Sequence, residues 1–94
     1  MSDPRLIDNL LTDLLNGALR WRLVPFPEVL IITPLPDAQR PVIEPALYPL
    51  EISGEKRILS QLAALLTVLG RETNPIPQSE ARARLAALLA EVRL

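Results

Sequence analysis

Ser53-Gly54-Glu55-Lys56-Arg57-Ile58-Leu59-Ser60-Gln61-Leu62-Ala63-Ala64-Leu65-Leu66-Thr67-Val68-Leu69-Gly70 is the longest strongly apolar run in the chain that keeps a helical period. Ile58, Leu62, Leu65, Leu66 and Leu69 recur at steps of three and four, one face of an α-helix. Leu59, Ala63, Ala64 and Val68 widen that face until only Ser60, Gln61 and Thr67 interrupt it. A helix apolar nearly all round must be covered on most sides. The run therefore reads as a central helix, capped by Ser53 and closed by Gly70, with the other elements packed around it.

Towards the N-terminus, Ala46 to Ile52 reads as extended, with Leu50 and Ile52 on one side and Glu51 on the other. Pro49 cannot donate to a ladder, so this segment belongs at a sheet edge or carries a bulge. Pro41-Val42-Ile43-Glu44-Pro45 reads as a short edge strand, and Pro36-Asp37 suit the centre of a type I turn. Glu28-Val29-Leu30-Ile31-Ile32-Thr33 is short and β-branched, a strand with both faces covered. Pro25 and Pro27 forbid helix just before it.

Ahead of those prolines lies the cleanest amphipathic helix. Ser2 or Asp3 caps it and Pro4 takes its first turn. Leu6, Ile7, Leu10, Leu11, Leu14, Leu15, Ala18 and Leu19 form its apolar stripe, with Asp8, Asn9, Thr12, Asp13 and Asn16 opposite. Gly17 either ends this helix or sits inside one running on to Trp21 or Leu23. The persistence of the stripe favours continuation. After Gly70, Arg71 to Pro77 is a polar connection, and a last helix begins at Pro77-Gln78-Ser79-Glu80. Its stripe is Ala81, Leu85, Leu88, Leu89 and Val92. The expected fold is a single small α+β domain over residues 1–94, in the order αββαα: N-terminal amphipathic helix, proline-bounded two-stranded β unit, C-terminal helical hairpin.

Composition bounds the function. In 94 residues, 49% are hydrophobic and 3% aromatic, so the apolar bulk is Leu, Ile, Val and Ala. With a mean hydropathy of +0.23, that is more apolar side chain than one small core is expected to hide, which argues for a second chain. The net charge of −1 leaves no basic excess to neutralise phosphates, so nucleic acid is disfavoured as a partner. No His and no Cys occur, which removes the commonest general base, metal ligand and thiol nucleophile. No metal and no cofactor is expected. Without Cys a reducing cytoplasm is the default expectation for location, and the sequence shows no signal-peptide pattern and no long apolar span.

Ser53-Gly54-Glu55-Lys56 matches the S-x-x-K pattern of Ser–Lys acyl enzymes, in which a helix brings the hydroxyl and the amine together. No S-D-N or K-T-G follows, so capping by Ser53 and a solvated Lys56 is the better reading. The carboxylates show no calcium-loop spacing and read as solvated surface groups. No two prolines stand three apart, so they rigidify strands and do not form a P-x-x-P ligand. The candidate binding cluster is Arg20, Trp21 and Arg22 with Phe26 nearby. A Trp between arginines suits a hot spot or base stacking. The phase of Trp21 with Leu14 favours instead a buried ring with snorkelling arginines.

The expected function is a non-catalytic protein–protein interaction and assembly module, self-associating through leucine-rich helix faces. A small subunit of a larger complex, including a phage structural part, fits this description. The alternative is a nucleic-acid-associated accessory protein using Arg20, Trp21 and Arg22. A Ser–Lys hydrolase ranks last.

Overall fold

A computed structural model describes residues 4–35, 42–71 and 73–94. Helix α1 (Pro4–Leu15) leads into strands β1 (Leu19–Val24) and β2 (Val29–Pro34). A 3-10 turn at Pro45–Leu47 precedes β3 (Leu50–Ser53), and helices α2 (Lys56–Leu69) and α3 (Gln78–Leu89) follow. The strands form an antiparallel meander in the order β1-β2-β3. The α+β class and the order of helix, sheet and two helices are as expected. The sheet, however, has three strands where two were expected.

The third strand comes from the tail of the expected first helix. Gly17 stands at φ 66°, and its N–H donates to Leu14 O at 3.0 Å while Ala18 N–H reaches back to Asp13 O at 3.0 Å. This left-handed closure ends α1, and only glycine adopts it without strain. Leu19 to Val24 then runs as a strand, so Trp21 does not continue the stripe of Leu14. A Cβ at Gly17 would meet nothing within 4 Å, so the cost of adding one is conformational alone. Gly17→Ala is expected to lose about 1 kcal/mol in urea denaturation, and Gly17→Asn less, because Asn tolerates the left-handed region.

Helix α2 is the centre of the packing, as its composition requires. Ile58, Leu59, Leu62, Leu65, Leu66 and Leu69 are all buried. They meet Leu10, Leu11 and Leu14 of α1, Leu30, Ile32 and Ile52 of the sheet, and Ala81, Leu85 and Leu89 of α3 in one core. Both α1 and α3 pack against α2 and each other, and α2 lies on β1 and β2. Most of the leucines that suggested a missing partner are thus covered within the chain.

Several boundaries differ from expectation. The residue before α2 is Glu55, and Ser53 makes no cap because it ends β3. Gly70 closes α2 in right-handed geometry (φ −82°), with its N–H on Leu66 O at 3.0 Å. The ring of Trp21 comes close there: a Cβ would lie 3.1 Å from its Cη2, so the ring would have to shift by a few tenths of an ångström. Residues 42–44 form no strand, and 45–47 form a 3-10 turn instead of extended chain. The cap expected at Ser2 or Asp3, the turn expected at Pro36-Asp37, and Pro41 fall outside the described residues. Pro49 precedes β3 and so takes no ladder position, and β3 is the outer of the three strands on its side of the sheet. Backbone groups of Ser53 and Arg93 exchange two hydrogen bonds of 2.7 Å, so the end of the chain pairs with β3. An ion pair, Arg82 Nε to Asp8 Oδ1 at 3.0 Å, joins α3 to α1. Both side chains are half exposed, which limits its contribution to about 1 kcal/mol or less.

Candidate functional site

Strand alternation divides the sheet into two unlike faces. Leu19, Leu30, Ile32 and Ile52 are buried under the helices. Between them along the strands stand Arg20, Arg22 and Val24 on β1, Val29, Ile31 and Thr33 on β2, and Glu51 and Ser53 on β3. Arg20, Arg22, Glu51 and Ser53 are exposed, and the residues of β2 on this face are half buried. The expectation that β2 is covered on both faces is therefore corrected. Its run of apolar residues reflects one buried face and one partly shielded one, as an antiparallel sheet permits.

The register arranges this outer face in rows. Arg20 pairs with Thr33, and its Nε donates to Thr33 Oγ1 at 3.2 Å. Arg22 pairs with Ile31, and Ile31 with Glu51. Val24 pairs with Val29, and Val29 with Ser53. Arg20, Arg22, Ile31 and Thr33, with Trp21, line a hollow of about 460 Å³.

The four candidate binding residues do not form one platform. Arg20 and Arg22 share the outer face. Trp21 between them is half buried against the core, with its ring end at Gly70. Phe26 sits in the turn joining β1 to β2 and is 90% exposed, the barest large apolar side chain among the described residues. Ser53 and Lys56 share no hydrogen bond. Ser53 lies in β3, paired through its backbone with Arg93, while Lys56 is the exposed first residue of α2.

A second surface lies between α2 and α3. Ala64, Leu65, Val68, Ile76, Ala87 and Leu88 line an open groove of about 470 Å³, with Gln61 and Arg84 at its rim. It is what remains of the leucine-rich helix faces after the core has formed.

Sequence reasoning missed one polar centre. Asp13, placed with the solvated face of the first helix, is completely buried. Its Oδ1 accepts the Ile43 N–H at 3.0 Å, and its Oδ2 accepts the Tyr48 hydroxyl at 3.0 Å. Burial pushes the Tyr48 phenol well above its ordinary value, and the hydrogen bond to Asp13 and that carboxylate's charge push it further. Asp13 thus fastens the segment before β3 to α1. A signal was present in the sequence: Asp13 stands three residues after Leu10 and seven after Leu6, on the flank of the apolar stripe.

Among the described residues no three acidic side chains gather as a metal site would require, and no helix is long and apolar enough to cross a membrane. No family model, curated protein or solved structure matches the chain.

Proposed function

We propose that this protein is a non-catalytic interaction and assembly module that self-associates. The observation that carries the reading is the one-sided sheet. Helices cover its inner face, while its outer face sets Ile31 between Arg22 and Glu51, with Val24 and Val29 beside it in the next row, which ends at Ser53. An apolar strip bordered by charges is what an interface needs: area removed from water at the centre and polar groups at the rim. The α2–α3 groove adds a second apolar surface. The leucines of the helices support the reading less than their number suggested, since most of them are buried inside the chain.

Sedimentation equilibrium tests this directly. Dimers or larger species are expected as the concentration rises towards ~1 mM, where even an association of about −4 kcal/mol is half complete. A strictly monomeric chain throughout that range would remove the proposal. Arg20 and Arg22 on one open face favour a second reading, nucleic-acid association. Glu51 on the same face and the net charge of −1 weigh against it. That reading requires binding to single-stranded nucleic acid at low salt which weakens steeply as salt is added.

A further inference from the structure

We infer that the outer face of the sheet is a self-complementary surface that takes a second copy of this chain, turned about a two-fold axis parallel to the strands. The inference rests on the self-association proposed above and says which face makes the contact and in which orientation.

Charge is distributed unevenly across the sheet. On the three strands positive charge lies on β1, at Arg20 and Arg22, and negative charge on β3, at Glu51, while Arg93, paired with Ser53 outside β3, adds a positive charge one row away from Glu51. The central strand β2 presents Val29, Ile31 and Thr33. Arg22 and Glu51 occupy one row with Ile31 between them, so their backbones are two strand spacings, ~10 Å, apart. No ion pair joins them within the chain, and neither has another ionic partner among the described residues.

A second copy changes this. Two sheets pack face to face about 10 Å apart with their strands nearly aligned. A two-fold axis along β2 reverses the order of strands but keeps the level along them. Arg22 of each copy then lies over Glu51 of the other, and Ile31 lies over its own counterpart on the axis. The row above sets Val29 against Val29 and Val24 against Ser53. An axis across the strands would instead stack β1 on β1, opposing arginine with arginine. Like charges in that position cost free energy, so the pattern selects one orientation and rejects the other.

Area sets the strength. A face of three strands, ~14 Å by ~20 Å, is under half of the ~800 Å² that a standard interface buries per partner. The contact is therefore weak and sensitive to salt, suited to copies held at high local concentration in a larger assembly.

The test is charge reversal, read by sedimentation equilibrium at low salt, with circular dichroism to establish that each variant is folded. Arg22→Glu alone and Glu51→Arg alone are each expected to weaken self-association by about tenfold or more, because two attractive pairs per dimer become repulsive. The double variant Arg22→Glu/Glu51→Arg is expected to associate as the unmodified chain does. An equimolar mixture of the two single variants is expected to form a heterodimer, since each then offers the charge the other lacks. If the unmodified chain associates but neither reversal weakens it, this inference falls while self-association stands. Val68→Asp, in the α2–α3 groove, then identifies the interface if it dissociates the dimer. A chain that never associates overturns both.

Discussion

Asp13→Ala is expected to lower stability by ~2–4 kcal/mol, because it strands the groups that meet its carboxylate away from water. The Tyr48 hydroxyl and the Ile43 N–H would each lose a 3.0 Å partner in a part-buried setting. For a domain of this size that loss corresponds to a fall in melting temperature of ~10–25 °C, read by circular dichroism. Asp13→Asn keeps an acceptor for the Ile43 N–H and is expected to lose clearly less. If Asp13→Ala melts with the unmodified chain, Asp13 is not the fastening that its burial implies.

The same pair predicts the alkaline limb of stability. Tyr48 has its pKa raised in the folded state from the ordinary 10.0, first by burial and then by Asp13. The folded chain therefore holds the phenolic proton more tightly than the unfolded chain does. The resulting stability is fully present below pH 10 and is lost as the pH climbs beyond the unfolded value towards the folded one. Tyr48 is the sole tyrosine, so tyrosinate absorbance reports this site alone. Tyrosinate is expected to appear together with loss of the helical signal and not ahead of it. Tyr48→Phe is expected to abolish that limb, and also to weaken the fold at neutral pH by leaving Asp13 Oδ2 without its donor.

Leu62→Ala is the second large effect, expected at ~2–5 kcal/mol in urea denaturation with an unchanged slope. Leu62 is fully buried in the middle of α2, in the core shared by all three helices and the sheet. Its truncation removes transfer free energy and leaves a cavity that surrounding elements cannot all close. Against a total of ~5–14 kcal/mol for a chain of this length, the loss is a large share. The neighbouring exposed Gln61→Ala is expected to change stability by under ~0.5 kcal/mol. Equal effects at 61 and 62 would contradict the central position of α2.

How much of this was legible beforehand depends on the range of the interaction. β1 was misread although its pattern was present: Leu19, Trp21 and Leu23 alternate with Arg20 and Arg22 at period two. Ala18 and Leu19 also satisfy the period of the preceding helix, so local spacing did not decide between them. The left-handed turn at Gly17 decided it. Of the candidate site, Arg20 and Arg22 were legible as a pair. That Trp21 faces away from them, and that Glu51 completes their face, required the register of three strands.

The amino-acid order alone determined that three helices form, that β2 is an apolar strand and that the segment around Pro49 sits at an edge or a bulge. Each rests on a period or a proline, and such signals act over a few residues. Only the tertiary structure decided that Asp13 meets Tyr48, that Trp21 seats on Gly70, that Ser53 pairs with Arg93 and that Arg22 and Glu51 share a row. Those contacts join residues far apart in the chain. Their free energy exists only once the core around α2 has brought the segments together, so the local spacing of one partner does not identify the other.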